Sequence, residues 1–265
     1  MTLPSEPPAF REGQPLAWTF HRNTSRWLHN ALLTDTYTPV PEAPKESPDA
    51  PWRRLPDVAD TQYAASLRAR LSCRTFAPAG VGLDQLSELL WAAYGVTGRS
   101  QLGALEFLER PLPSGGGLYA LELYTLVRAV HDLPPGVHHF SPITHGLELV
   151  RDTDLPPRLL TYLFLGQALA ADAAFVVVIT AVVARSLTKY GDRGYRYLLL
   201  EAGHAAQNLN LRAPALGLGT CNLGGFLDDE LAALLAVNVE YEIPLYAIAV
   251  GHPESPDRLH QRTLA

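Results

Sequence analysis

The sequence predicts a mixed α+β fold in which helices and strands share one core. Residues 175–183 form a continuous run of apolar and β-branched side chains, which is typical of a strand covered on both faces. Residues 195–211 instead repeat apolar side chains at helical spacing. The 265 residues are 47% hydrophobic and 18% charged, which is enough to bury one large core, so a single compact domain is expected.

A proline-rich arm precedes this domain. We place the arm at residues 1–57 and the domain at residues 58–265. Ten of the 22 prolines lie in the first 60 residues, and each proline removes a backbone donor and disfavours helix in the residue before it. The arm is therefore predicted to be extended and irregular. Its one apolar and aromatic stretch, residues 18–28, suits a segment that wraps around a partner surface.

Helices and strands alternate through the domain. Residues 63–71 have apolar side chains at helical spacing and end in a basic turn that contains a serine. A second helix is predicted over residues 83–94, with Asp84 as its cap. The later elements are a half-buried strand over residues 121–130, a glycine-rich stretch over residues 216–226, a short helix from Asp228 and a last strand over residues 245–250.

Composition excludes several classes of function. The formal net charge of −6 leaves no basic surface for nucleic acid or for an anionic membrane, so neither is expected as a partner. Cys73 and Cys221 show neither disulfide nor zinc spacing, and His138, His139 and His145 lack the spacing of metal ligands, so no metal is predicted. No signal peptide or membrane span is evident, and a cytoplasmic location is expected.

Two arginines and a serine lie within five residues at the end of the first predicted helix of the domain. Arg70, Ser72 and Arg74 together supply enough donors for several charge-assisted hydrogen bonds to one phosphate. Arginines at a helix end are also common as a solvated face that complements the helix dipole. Spacing alone favours that second interpretation, so the phosphate hypothesis needs other groups near it.

Glycine-rich segments provide two further candidates. Residues 113–117 combine a proline, a serine and three glycines, which lets the backbone approach a flat ligand without interference from Cβ atoms. The alternative is an ordinary tight turn, and no Walker loop is present. Gly217, Gly219, Gly224 and Gly225 lack the spacing of a Rossmann fingerprint and follow a predicted helix, so a Rossmann dinucleotide site is disfavoured.

Polar residues follow the predicted central strand. Lys189 and Tyr190 come just after it, where partial desolvation makes a lysine easier to deprotonate and able to act as a base. The alternative is a loop lysine beside a tyrosine that faces the core. On the next helix, Glu201, His204 and Asn208 share one face, which favours a buried hydrogen-bond network over a metal site.

Taken in order, these motifs resemble the SagB-type dehydrogenase branch of the FMN-dependent nitroreductase superfamily. The resemblance extends from about residue 18 to residue 253. The motifs are Arg70-x-Ser72-x-Arg74-x-Phe76, Pro113-Ser114-Gly115-Gly116, Lys189-Tyr190-Gly191-x-Arg193-Gly194-Tyr195-Arg196-Tyr197, Glu201-Ala202-Gly203-His204 with Gln207-Asn208, and Gly217-Leu218-Gly219, flanked by residues 20–24 and by Gly251-His252-Pro253.

The resemblance implies a nitroreductase-like α+β fold, with a mixed, mainly antiparallel sheet flanked by helices. It also implies an interlocked homodimer with one FMN per subunit at the interface, and flavin contacts donated partly by the partner chain. By position, the FMN-binding residues would be Arg70, Ser72 and Arg74 at the phosphate and pyrimidine side, Pro113, Ser114, Gly115 and Gly116 along the isoalloxazine, Gly224 and Gly225 near the dimethylbenzene side, and a late arginine, Arg258 or Arg262.

The resemblance further implies azoline oxidation in a modified peptide. Lys189 and Tyr190 match a pair regarded as catalytic in azoline-oxidising relatives, with Lys189 as the base opposite flavin N5 and dioxygen as the final oxidant. Partners would be the peptide substrate and its cyclodehydratase. Two alternatives stay open: an NAD(P)H-dependent nitro or quinone reductase of the same fold, and a non-catalytic scaffold in a peptide-modifying complex.

Overall fold

A computed structural model describes residues 9–26, 51–102 and 105–255 of the chain. The strands in this part are β1 Gly98–Leu102, β2 Leu105–Glu109, β3 Leu121–Val127, β4 Gly136–Ser141, β5 Gly146–Asp152, β6 Phe175–Val182, β7 Gly219–Leu223 and β8 Glu242–Gly251. The last six form one sheet in the order β5, β4, β3, β6, β8, β7, and every neighbouring pair is antiparallel. β1 and β2 form a separate hairpin.

Helices cover both faces of the six-stranded sheet. They are α1 Phe10–Gly13, α2 Pro15–Thr24, α3 Gln62–Ala69, α4 Leu83–Tyr94, α5 Pro157–Leu163, α6 Ala168–Asp172, α7 Val183–Tyr190, α8 Arg193–Arg212 and α9 Asp228–Leu235. One face packs against α4 and α8, and the other packs against α5, α6 and α9. None of these helices is both long and apolar enough to cross a membrane.

The predicted central strand is confirmed as β6. Because helices lie on both sides of the sheet, each side chain of the strand meets apolar neighbours whichever way it points. Phe175, Val177 and Ile179 belong to the core under α4 and α8, whereas Val176 and Val178 belong to the core under α5, α6 and α9. This explains why the sequence of the strand shows a continuous apolar run instead of an alternation.

The neighbouring strand β3 differs from its prediction. Residues 121–130 were expected to form a half-buried strand, but β3 ends at Val127 and nearly all of it is buried. β3 lies between β4 and β6, and both of its faces are covered. The alternation of apolar and polar side chains along it therefore does not mean that one face is exposed to solvent. Leu123 packs in one core and Leu126 in the other.

The start of α4 also differs. Asp84 was expected to cap the helix, but the N-cap is Gly82, and Asp84 lies inside the first turn. The side chain of Gln85 accepts a hydrogen bond from the Gly82 N–H at 2.8 Å. An acidic residue in the first turn still interacts favourably with the helix dipole, which explains its presence there.

The expectation of an irregular arm is wrong for α1 and α2, which are helical, whereas residues 51–57 of the arm form no helix or strand. Pro15 is the first residue of α2, a position where its missing N–H costs nothing. The Ala17 N–H is capped by the Asp192 carboxylate at 2.8 Å. The aromatic stretch packs on its own chain: Phe20 packs edge-on against Tyr195 with ring centroids 5.7 Å apart. Residues 27–50 lie outside the described part.

Polar contacts fasten α2 to the body of the chain. Arg22 forms two hydrogen bonds to the Asp229 carboxylate, at 2.6 and 3.0 Å. The Arg26 N–H donates to Asp228 Oδ2 at 2.8 Å, and His21 Nδ1 lies 3.1 Å from the Tyr195 hydroxyl. Burial lowers the pKa of His21 to about 4 and raises the pKa of Asp228 to about 6.

These opposite shifts predict that His21 and Asp228 together contribute little to the pH dependence of stability in the wild type. The lowered pKa of His21 stabilises the fold above the ordinary histidine value of 6.5, and this effect is lost as pH falls through 4. The raised pKa of Asp228 stabilises the fold below the ordinary aspartate value of 3.8, and this effect is lost as pH rises through 6. Each effect is on the order of 3 kcal/mol, and they oppose each other in the same range.

Single variants should reveal the two effects. Asp228→Asn leaves the histidine effect, so its free energy of unfolding should decrease as pH is lowered from 6.5 to 4. His21→Gln leaves the aspartate effect, so its stability should increase over the same acidification. Urea unfolding at a series of pH values measures both, and the double variant is the control because its profile should run parallel to that of the wild type. Parallel profiles for the two single variants would contradict the prediction.

Candidate functional site

The arginine and serine motif lies against the edge strand of the sheet. α3 ends at Ala69, and Arg70 takes an extended conformation as its C-cap. Ser72 then forms a parallel bridge with Thr220 of β7, and the Cys73 N–H donates to the Thr220 carbonyl at 2.8 Å. Because β7 leads directly to Gly224 and Gly225, the motif and this glycine pair belong to one group of residues.

The charges of this motif are free within the described chain. Arg70 is half-buried and Arg74 is exposed, and neither guanidinium group makes a hydrogen bond or a salt bridge to any described residue. The Ser72 side chain is exposed beside them. Two uncompensated guanidinium groups and a hydroxyl on one extended segment form a donor set that fits a phosphate dianion.

A cavity of about 750 Å³ opens beside Gly224 and Gly225. Phe20 of α2 and Tyr195 of α8 contribute aromatic walls. A Cβ added to Gly224 would meet no atom closer than 4.0 Å, so the backbone there faces open space. The volume lies in the range of ligand pockets and accommodates the ring system of a flavin.

A second group of residues forms around Gly116. Its backbone has φ of +68°, a conformation that favours glycine. A Cβ at this position would lie 2.5 Å from the Tyr190 hydroxyl oxygen and 2.7 Å from Lys189 Nζ, so the ends of both side chains would have to shift. The lysine and the tyrosine therefore converge on one point of the glycine-rich segment. The next position, Gly117, also has positive φ and has no atom near its added Cβ.

Lys189 and Tyr190 occupy the last turn of α7, and not a loop. α7 follows β6 without a gap, which places this turn one short helix beyond the central strand. Lys189 Nζ lies 5.2 Å from the centroid of the Tyr190 ring, and that ring packs edge-on against Tyr197 of α8 at 4.9 Å. The expected partial desolvation of the lysine is wrong for the single chain, because α7 lies at the surface and the side chain is exposed.

The predicted network on α8 exists, but with different partners. Glu201 is buried and accepts hydrogen bonds from the Tyr94 hydroxyl at 2.9 Å and from Ser114 Oγ at 2.6 Å. Burial raises the pKa of its carboxyl group. His204 is exposed, and Asn208 donates to a backbone carbonyl outside this network. Tyr94 was missed because, at the end of an apolar helix, it resembles an ordinary core residue.

The candidate residues thus form two groups. One contains Arg70 to Arg74 and β7, which leads to the glycine pair that lines the cavity. The other contains residues 113–117 with Lys189 and Tyr190. Between residues 70–76 and residues 113–117, all of which the structure describes, there is no hydrogen bond. The late arginines of the prediction, Arg258 and Arg262, lie outside the described residues.

Within the described ranges, no group of three histidine, cysteine or acidic side chains is placed to hold a metal. Cys73 and Cys221 are free thiols. The histidines considered above have other partners: His138 Nε2 lies 2.9 Å from the Pro134 carbonyl, His139 Nε2 lies 2.8 Å from Glu122 Oε2, and His145 Nε2 lies 2.8 Å from Ser87 Oγ.

Comparison with known proteins gives a consistent set of relatives. A protein of Methanocaldococcus jannaschii named "Putative nitroreductase" is 36% identical over 198 residues, which cover 75% of this chain and 94% of that protein. The microcin B17-processing protein McbC of Escherichia coli is 28% identical over 142 residues, or 52% of each chain, so this chain matches about half the length of McbC.

A solved structure and a family model extend the comparison. A chain of the E. coli microcin synthetase McbBCD complex, with truncated pro-MccB17 bound, has the same fold, with a TM-score of 0.65 at 23% identity over 92% of this chain and 94% of that chain. The model of the nitroreductase family matches residues 67–252. The chain therefore belongs to the nitroreductase family of FMN-dependent oxidoreductases, and the expected family, fold and cofactor are confirmed.

Proposed function

We propose that the chain is a SagB-type dehydrogenase that oxidises azoline rings to azoles in a modified peptide. The convergence of Lys189 Nζ and the Tyr190 hydroxyl on Gly116 is the observation that supports this most directly. This convergence joins a potential base to a glycine-rich segment that has open space beside its backbone at Gly117. The similarity to a microcin-processing protein supports the peptide substrate.

FMN would be held by both groups of candidate residues. Arg70, Ser72 and Arg74 would bind the phosphate, and Gly224 and Gly225 would lie beside the ring system in the cavity that they line. The segment Pro113, Ser114, Gly115 and Gly116 would line the isoalloxazine, and Arg262 would join the phosphate. Because no hydrogen bond joins residues 70–76 to residues 113–117 within the chain, we propose that a homodimer completes each site from two copies.

The proposed chemistry needs a base and a hydride acceptor. Conversion of an azoline to an azole removes one proton and one hydride equivalent from the ring, and bound FMN supplies the hydride acceptor. Lys189 Nζ would take the proton, and the Tyr190 hydroxyl would orient the lysine or relay the proton. Dioxygen is the proposed final electron acceptor, and a cyclodehydratase that forms the azoline is the proposed partner enzyme.

A second candidate is an NAD(P)H-dependent nitro or quinone reductase. The match to almost the whole of the Methanocaldococcus jannaschii protein supports it. Stopped-flow mixing of the FMN-loaded protein with NADPH or NADH distinguishes the two: reduction faster than azoline turnover supports the reductase. Absence of reduction by either nucleotide, together with azole formation from an azoline peptide, supports the dehydrogenase. A purified protein that cannot be loaded with FMN would instead support a non-catalytic scaffold.

Loss of one phosphate contact should weaken FMN but not riboflavin. Arg70→Ala removes a charge-assisted hydrogen bond, so the Kd for FMN should increase about 30-fold, whereas riboflavin, which lacks the phosphate, should bind as before. Quenching of flavin fluorescence measures both. Arg68→Ala is the matched control, because Arg68 lies on the same helix and pairs with Asp60 at 2.8 Å. Equal losses for both flavins would contradict a phosphate role.

Removal of the proposed base should abolish turnover while flavin stays bound. Lys189→Met keeps the length of the side chain without the amine, and the rate of azole formation should decrease by a factor of about 10² to 10⁴. The flavin absorption spectrum checks that the protein is still loaded. Thr188→Ala, an exposed change one residue earlier on α7, is the control. Azole formation by Lys189→Met at the wild-type rate would exclude the proposed mechanism.

A further inference from the structure

The segment between Ser114 and β3 has an unusual backbone. We call residues 114–121 the glycine loop. Gly116 and Gly117 have φ of +68° and +66°, and Tyr119 has φ of +46°, a region that a residue with a side chain enters only at a cost. Such a conformation persists only where surrounding contacts determine it. The glycine loop must therefore be held from outside its own backbone.

Two hydroxyl groups hold the ends of the glycine loop. Ser114 Oγ accepts the Tyr119 N–H at 3.0 Å, which closes the loop on itself. The Tyr94 hydroxyl accepts the Leu121 N–H at 3.0 Å, which fixes where the loop enters β3. Each hydroxyl oxygen thus acts as an acceptor towards the loop backbone, and its single hydrogen is available for one further bond.

Both of these hydrogens go to one carboxylate. Ser114 Oγ donates to Glu201 Oε2 at 2.6 Å, and the Tyr94 hydroxyl donates to Glu201 Oε1 at 2.9 Å. Only an ionised carboxylate offers two oxygens that accept and none that donates. An amide or a protonated acid has one accepting oxygen fewer, so one of the two hydroxyl groups would lose the acceptor of its hydrogen bond.

Ionisation of the Glu201 carboxyl group is unfavourable at its position in the fold. Glu201 is 3% exposed, and burial raises its pKa. The guanidinium group of Arg110 opposes this shift; it stacks on Tyr94 at 4.3 Å and on Tyr119 at 5.3 Å from the ring centroids. The titratable and charged groups around the carboxylate are Tyr94 and Arg110 from other elements, and Tyr197 and His204 one turn away on α8.

We propose that Glu201 is a positioning residue for the flavin-binding loop. Its carboxylate sets the shape of the glycine loop and so determines where Gly116 lies relative to Lys189 and Tyr190. The inference rests on the proposed function, in which this loop lines FMN. The proposal also changes the role expected for Ser114. Its hydroxyl points towards Glu201, so only the backbone of the serine would contact the flavin.

Glu201→Gln tests the proposal with the least change in shape. The amide keeps one acceptor oxygen and loses the other, so the loop should loosen and the Kd for both FMN and riboflavin should increase about tenfold. The matched control is Glu242→Gln. Glu242 also has a raised pKa and also accepts from two hydroxyls, those of Thr180 and Tyr124, but it lies on the other face of the sheet. Flavin affinity should be unchanged in the control.

The pH profile gives a readout that general destabilisation does not mimic. Riboflavin is the probe, because the phosphate of FMN titrates itself. Wild-type affinity should decrease as pH falls and Glu201 takes up its proton, whereas Glu201→Gln should bind weakly with no such dependence over the same range. Ser114→Ala removes the loop-side donor without touching the buried carboxyl group, and it tests the same link if the Gln variant does not fold. The double variant Glu201→Gln and Ser114→Ala should bind riboflavin no more weakly than the single variants do, because both changes break the same link.

Two results separate failure of the inference from failure of the function. If the wild type binds FMN but both Glu201→Gln and Ser114→Ala bind riboflavin with wild-type affinity and pH profile, the positioning role is overturned while the proposed function stands. If the wild type binds neither flavin, the proposed function fails and the positioning role fails with it.

Discussion

Burial of β6 on both faces is the constraint on which the rest of the structure depends. A strand whose side chains are apolar in both directions is stable only between two layers, and each fully buried side chain of this kind contributes about 1.5–3 kcal/mol. α4 and α8 provide one layer, and α5, α6 and α9 provide the other. Both layers follow from this strand, and so do the positions of α7 and α8, which carry Lys189 and Glu201.

The candidate site inherits its geometry from this arrangement. The chain leaves β6 directly into α7, which carries Lys189, and then returns along the sheet as α8, which carries Glu201. β3 pairs with β6, so the loop that enters β3 reaches the same end of the sheet. Three segments that are distant in sequence therefore meet there, and the contacts among Gly116, Lys189 and Tyr190 are a consequence of strand pairing more than of local sequence.

Sequence patterns predicted the elements that their own residues determine, and missed the elements that depend on contacts with distant segments. β6 and α8 were predicted because their apolar spacing is continuous over many residues. The short strand β7 and the hairpin of β4 and β5 were missed, because their pairing partners determine them more than their own composition does. The arm was predicted to be irregular from its prolines, but Pro15 starts a helix. Lys189 was identified, whereas Tyr94 was not. The role of the Tyr94 hydroxyl depends on its hydrogen bonds with Glu201 and the Leu121 N–H, which are distant in the sequence.

The polar network around Glu201 is hard to explain by stability alone. Well-packed apolar residues of similar volume often stabilise a core at least as well as a buried charge does. Here the buried carboxylate also needs two hydroxyls and the nearby charge of Arg110, and it holds Tyr119 in a strained conformation. A network of this kind yields one defined loop shape, which apolar contacts specify poorly because they have no direction. The cost of the buried charge is thus best understood as the cost of placing the glycine loop.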